Sequence, residues 1–262
     1  MSANKKTAAL PVILVIGAIL AVGIVILMGM LFGMRYTTLA DDIKFFGRMS
    51  GGAPVKGTVY FADGKAEYDA ATSTIEYENG DVYVGAVKDL VPDGQGKMTY
   101  ASGDVYEGNF SEGERDGQGI MLYSSGDTYS GEWKDSRRQG QGVYSFADGS
   151  SYTGYFVNNM KNGTGVFVYA TGDRYEGSFT DDMKNGQGTY TWASGDVYTG
   201  SFVNDVCEGQ GKMTWKSGDH YNGSFSKGLL SGQGTYTWVD ESGAEVRVYQ
   251  GYFKDGLITL EP

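Results

Sequence analysis

The chain has 262 residues, with 42 Gly, 20 Tyr, 12 Phe and 4 Trp but only four Pro. That mixture excludes a collagen-like helix, which needs abundant Pro, and a Gly-rich linker, which lacks aromatics. One Cys and one His exclude a disulfide framework and a multi-ligand zinc site, and the net charge of −11, with all 32 acidic residues beyond residue 40, speaks against nucleic acid.

Residues 1–9 form a short tail with Lys5 and Lys6, followed over residues 10–32 by an uncharged apolar run. At 1.5 Å per residue this run reaches ~35 Å, enough to cross a bilayer core as one transmembrane α-helix. It is too long for the apolar part of a cleaved signal peptide. The basic tail favours an N-terminus inside and the rest of the chain outside, giving a single-pass protein of the cell membrane. Residues 33–54 read as a juxtamembrane segment, with a brief interfacial helix over Asp41 to Met49 and a linker at Ser50-Gly51-Gly52-Ala53-Pro54.

The rest is periodic. Tyr83, Tyr106, Tyr129, Tyr152, Tyr175, Tyr198 and Tyr221 recur every 23 residues, and Gly85, Gly108, Gly131, Gly154, Gly177, Gly200 and Gly223 follow them by two. Phe110, Trp133, Phe156, Phe179, Phe202 and Phe225 come two later again, and a Gly-x-Gly pair such as Gly117/Gly119 keeps the same period. Strict alternation places Tyr106, Gly108 and Phe110 on one face of a strand, and Gly96, Met98 and Tyr100 on the same face of another. Each unit is then two strands, and Ser102-Gly103 and its equivalents predict two-residue turns into the next unit. The longer link within a unit, Ser111 to Asp116, carries the charges. No helix fits in 23 residues, so the fold class is an all-β repeat array, an elongated single-layer antiparallel sheet of hairpins preceded by one transmembrane helix. Residues 55–76 read as a degenerate capping hairpin, 77–255 as the array, and 256–262 as a C-terminal cap in which Leu257, Ile258 and Leu260 cover the last aromatic layer. Asp240 to Ala244 lengthens the last turn.

A unit of Tyr-x-Gly-x-Phe/Trp followed by Gly-x-Gly, as in Tyr129-Ser130-Gly131-Glu132-Trp133 and Gly140-Gln141-Gly142, resembles the MORN (membrane occupation and recognition nexus) repeat. The resemblance covers about residues 77–255 and implies a twisted single-layer sheet that acts as a scaffold, tether or targeting module for proteins or near membranes. Phe usually stands where the family has Trp, and Val87 breaks the first copy.

Three columns invite functional readings. Arg115, Arg138, Lys161 and Lys184 recur at one loop position, either as a basic rail for lipid headgroups or an acidic partner, or as a solvated site beside Glu112, Asp116, Asp135 and Asp181. Neighbouring opposite charges favour the second, and the acidic chain disfavours anionic lipid. Asp81, Asp104, Asp127, Asp173, Asp196 and Asp219 follow the turn Gly, and one carboxylate per ~10 Å is too few for calcium, so turn chemistry accounts for them. Trp192, Trp215 and Trp238 make either a sugar-stacking platform or structural packing, and their alternation with Tyr and Phe favours packing. Cys207 takes the Lys/Arg position and is expected to be exposed, while His220 has no partner for chemistry. No catalytic, cofactor or metal constellation emerges. The expectation is a non-enzymatic, membrane-anchored scaffold for an unidentified protein, with a cell-surface glycan or cell-wall binding module as the alternative.

Overall fold

A computed structural model describes residues 33–40 and 42–260. The expected transmembrane helix over residues 10–32 lies outside them. Every regular element among the described residues is a β-strand, and none of them forms a helix able to cross a membrane. Contacts divide the chain into two compact units that meet in sequence at Ala101/Ser102.

The first unit holds β1 (Met34–Ala40), β2 (Ile43–Ser50), β3 (Ala53–Tyr60), β4 (Lys65–Asp69), β5 (Thr74–Tyr77), β6 (Val82–Lys88) and β7 (Val91–Thr99), each antiparallel to the next. Three expectations are corrected here. The described part of the interfacial helix is strand β2, because Phe45-Phe46-Gly47 repeats the aromatic-x-Gly alternation. Phe45 is fully buried, and its ring lies against Gly47 and, on the facing strand, Gly57. The Gly51-Gly52 linker is a tight turn with both residues at positive φ, joining β2 to β3. Finally, β3 and β4 do form a hairpin, but β1 and β2 precede it, so it does not cap the sheet.

The second unit holds β8 (Val105–Ser111), β9 (Glu114–Leu122), β10 (Thr128–Lys134), β11 (Arg137–Ser145), β12 (Ser151–Val157), β13 (Met160–Val168), β14 (Arg174–Thr180) and β15 (Met183–Thr191). It continues through β16 (Val197–Val203), β17 (Val206–Thr214), β18 (His220–Ser226), β19 (Leu229–Val239), β20 (Glu245–Lys254) and β21 (Leu257–Thr259), an open sheet of successive hairpins. The alternation expected for the first strand of each unit holds, and Tyr106, Gly108 and Phe110 all point to the buried face.

The two glycines of a unit face each other across the hairpin, Gly154 opposite Gly165 and Gly177 opposite Gly188. The Tyr ring lies flat over that pair: a Cβ on Gly165 would meet the Tyr152 ring carbon Cζ at 2.6 Å. At or just after the first glycine the register shifts, and the other Gly of each Gly-x-Gly pair sits in the bulge with positive φ, as at Gly117 (99°) and Gly186 (96°). The Tyr hydroxyl reaches past the glycines and donates to a carbonyl at the bulge, Tyr106 to Asn109 at 3.0 Å and Tyr152 to Tyr155 at 3.1 Å. Burial pushes the Tyr152 hydroxyl up to about 12. From Tyr106 to Tyr221 each Tyr ring also meets two aromatic rings edge-on, one from its own strand and one from the next unit. Tyr152 lies 5.2 Å from Phe156 and 5.1 Å from Phe179, Tyr175 lies 5.1 Å from Phe179 and 5.0 Å from Phe202, and the ladder runs on to Phe253. Such edge-to-face pairs contribute about 0.5–1.5 kcal/mol each beyond their burial.

The turns are the reverse of those expected. Ser124-Ser125-Gly126 is a three-residue loop in which Gly126 N–H donates to Tyr123 and Tyr123 N–H donates to Asp127, and only the Gly has positive φ. The link within a unit is the tight one. Its two central residues both have positive φ, as in Asn158 (49°) and Asn159 (74°), so Asn, Asp and Gly concentrate there. At the C-terminal end the extra residues lengthen the strands and leave the turn unchanged, since Trp238 pairs with Arg247 while Asp240 and Ala244 close the usual loop. Leu257 is 72% and Leu260 95% exposed, so this segment does not cover the last layer. The short strand β21 pairs only with Tyr252 to Lys254.

Gly154→Val places a branched side chain into the Tyr152 ring and 2.7 Å from the Gly165 Cα, and should cost about 3 kcal/mol. Glu107, exposed on the opposite face, should tolerate Gln without a change in melting temperature. Thermal melts of the two variants check this, and equal melting temperatures contradict the packing. Tyr152→Phe keeps the ring but leaves the Tyr155 carbonyl without the hydroxyl, and should cost about 1 kcal/mol in a denaturant titration.

Candidate functional site

On the aromatic face the first strand of each unit supplies the buried ladder, and from β11 onward the second strand supplies a row that stays half-buried. In the second unit that row includes Tyr144, Phe146, Phe167, Tyr169, Tyr190 and Trp192. Neighbouring rings touch at tilted angles, Tyr144 to Phe146 at 4.5 Å, Phe146 to Phe167 at 5.6 Å and Phe167 to Tyr169 at 4.4 Å. Tyr152 and Phe156 of the ladder and Tyr144 and Phe146 of the row bound a groove.

Arg115, Arg138, Lys161 and Lys184 lie in this groove, which corrects both their loop placement and the solvated reading. Each is the second residue of a strand and pairs with an aromatic residue of the strand before it, Phe110, Trp133, Phe156 and Phe179 respectively. Alternation therefore turns all four side chains toward the rings. Arg115 lies 4.5 Å over the Trp133 ring, Arg138 4.8 Å over Tyr144, Lys161 4.9 Å over Phe167 and Lys184 5.1 Å over Tyr190. The guanidinium groups donate to the turn of the next unit, Arg115 to the Ser136 carbonyl at 2.9 Å and Arg138 to the Asn159 carbonyl at 2.7 Å. Lys184 Nζ reaches the Tyr169 hydroxyl at 3.3 Å and Asp205 at 3.6 Å. Lys161 differs. Its side chain is 18% exposed, its Nζ makes no hydrogen bond, and the Asp182 carboxylate stands 4.0 Å away. Desolvation holds its ammonium below the ordinary lysine value. Between Arg138 and Lys161 a pocket of about 280 Å³ opens, walled by Tyr144, Phe146 and Phe156, with Asp182 at its rim.

Cys207 stands in the same column, opposite Phe202, and is half-buried rather than exposed, with burial pushing its thiol up to about 11. The three tryptophans continue the half-buried row. Trp192 lies 4.7 Å from Tyr190, Tyr236 sits between Trp215 (5.1 Å) and Trp238 (4.4 Å), and Arg247 covers Trp238 at 4.7 Å. They pack within the row.

The Asp column does more than turn its own loop. Asp104 accepts the Ser124 N–H (2.7 Å), Asp127 the Ala147 N–H, Asp173 the Ala193 N–H (both 2.8 Å) and Asp196 the Lys216 N–H (2.7 Å), each a bond from one turn to the turn of the next unit. The second oxygens of Asp127 and Asp173 accept from the hydroxyls of Tyr144 and Tyr190. The opposite edge is laced likewise, with Asp182 taking the Lys161 N–H and Asp205 the Lys184 N–H. The 23-residue recurrence of Asp was visible in the sequence, but a partner 20 residues away was not.

With this geometry in place, the family is clear. The MORN repeat model matches seven consecutive units, residues 83–105, 106–128, 129–151, 152–174, 175–197, 198–220 and 221–243, more than half of the chain. The chain belongs to the MORN repeat family. No curated protein matches it. Among solved structures it is similar to the TCP domain of SAS-4 (dCPAP) of Drosophila melanogaster, in complex with a proline-rich motif of Ana2 (dSTIL). That match has 16% identity and a TM-score of 0.39, and covers 68% of this chain and 95% of the other. It is also similar to the TCP10 domain of Danio rerio CPAP, at 13% identity and a TM-score of 0.39, covering 72% of this chain and 94% of the other.

The backbone N–H bonds from the next turn hold the carboxyls of Asp104, Asp127 and Asp173 below the ordinary value, so these carboxylates stabilise the fold only while ionised. Their contribution is complete above about pH 4 and is lost as the pH falls through their lowered native values. The melting temperature should therefore drop as the pH falls below about 4, and drop less in the combined Asp104→Asn, Asp127→Asn, Asp173→Asn variant. Identical acid profiles for the two proteins contradict the inter-unit bonds.

Proposed function

We propose that the protein is a non-enzymatic scaffold that holds another protein along the aromatic groove, and that the apolar run over residues 10–32 tethers it to the cell membrane as a single span with the repeats outside. The observation that carries this reading is the groove itself: half-buried rings and recessed cations side by side over successive units, a contiguous aromatic strip of the kind that marks interaction sites. Membership of the MORN repeat family supports it. The 23-residue length of the apolar run and Lys5 and Lys6 before it support the tether and its orientation. A glycan platform would need open ring faces on Trp192, Trp215 and Trp238, and these rings lie against Tyr190, Tyr236 and Arg247. A flat anionic lipid surface is disfavoured because the groove cations are recessed, with the Lys161 and Lys184 side chains only 18% and 13% exposed.

A photo-crosslinking residue replacing Phe167 in the groove should form a discrete protein adduct in intact cells, while the same residue replacing Gln187, exposed on the other face, should not. Equal adducts from both positions, or none from the groove, contradict the reading. Topology is checked separately with Lys216→Cys, at an exposed turn, in a Cys207→Ser background. An impermeant maleimide should label it in intact cells, and labelling only after lysis would place the array inside.

A further inference from the structure

The groove has a charge and a spacing that together define what fits it. Arg138, Lys161 and Lys184 occupy equivalent positions in consecutive units, so each is two strands from the next, about 9.6 Å at the usual strand separation. A polyproline II chain rises about 3.1 Å per residue with three residues per turn, so residues three apart share a face and lie about 9.3 Å from each other. A β-extended ligand returns to the same face every second residue, about 6.6 Å, and falls out of step with the units.

The groove presents cationic N–H donors, which call for an anionic acceptor. Lys161 offers three N–H donors, none of them hydrogen-bonded to another protein group, from a side chain only 18% exposed. Asp182 spends its nearer oxygen on the Lys161 backbone N–H at 2.8 Å and stays 4.0 Å from the ammonium. The Lys161 ammonium is recessed and its one carboxylate neighbour stands at the 4.0 Å limit of an ion pair, so an incoming carboxylate gains closer charge-assisted bonds, its own charge met by Arg138 and Lys161 across the 280 Å³ pocket. The walls of Tyr144, Phe146 and Phe156 suit apolar or proline residues between the charges. The cations are recessed between rings rather than raised on loops, which disfavours the flat surface of a membrane.

We infer that the groove binds an acidic segment of a partner protein in the polyproline II conformation, with carboxylates at every third residue seated on Arg138, Lys161 and Lys184. This rests on the scaffold reading and adds the chemistry and register of the segment. The test uses the full chain in detergent micelles and fluorescence anisotropy of labelled peptides. The first is Glu-Pro-Ala repeated three times, the second replaces Glu by Gln, and the third has the same composition with Glu at alternate positions. The first should bind saturably. Lys161→Gln should weaken it about tenfold, the loss of one charge-assisted hydrogen bond, while Lys161→Arg should retain binding and both variants keep the parent melting temperature. Equal binding of the Gln peptide overturns the acidic preference but leaves the scaffold reading, judged by the Phe167 adduct, intact. Equal binding of the alternate-Glu peptide overturns the register. Binding to phosphatidylserine vesicles with no binding of any peptide overturns the inference in favour of a lipid surface.

Discussion

The structure depends on one contact repeated along the chain: a tyrosine ring lying flat over two glycines that face each other across a hairpin. A single-layer sheet has no second layer to bury its apolar face, so its aromatic rings must bury one another. Tyr152 does this by covering Gly154 and Gly165, which lets its edge meet Phe156 and Phe179. The bulge beside the glycines leaves a backbone carbonyl for the hydroxyl, which is why Tyr rather than Phe fills the column. Ring, glycine pair and bulge are therefore one unit, and substitution at any of the three disturbs the other two.

That contact also shapes the surface. Because the first strand of each unit uses its rings to bury the ladder, the second strand keeps its rings half-exposed, and the second residue of that strand is brought between the two rows. A cation there is held by ring faces and by the turn of the following unit, as Arg138 is by Tyr144 and the Asn159 carbonyl. The groove is thus a consequence of how units stack rather than an addition to the fold. Cys207 and Leu230 occupy the same column further on, so the positive stretch ends after Lys184.

Much of this was legible in the sequence, because a 23-residue period with alternating Tyr, Gly and Phe leaves few ways to fold. The pairing of strands, their buried face and the family followed from it. The turns were misassigned because Ser-Gly reads as a two-residue hairpin signal. Gly126 in fact closes a three-residue loop, and the tight turn falls at positions such as Asn158-Asn159. Misplacing that turn put Arg138 and Lys161 in a loop, and a bulge invisible to simple alternation hid their approach to the rings. Phe45-Phe46-Gly47 was missed as a strand because it lies out of phase with the array. Bonds between units, such as Asp173 to Ala193, have no local signature at all.

The most direct measurement of the central contact is the NMR shift of glycine Hα protons in selectively labelled protein. Protons held beneath an aromatic ring are displaced upfield, so Gly154 and Gly165 should stand well upfield of the turn glycines Gly149 and Gly172. Tyr152→Leu should return only that pair toward ordinary values. Unshifted Gly154 and Gly165 protons in the parent protein, or no change on losing the Tyr152 ring, would contradict the account.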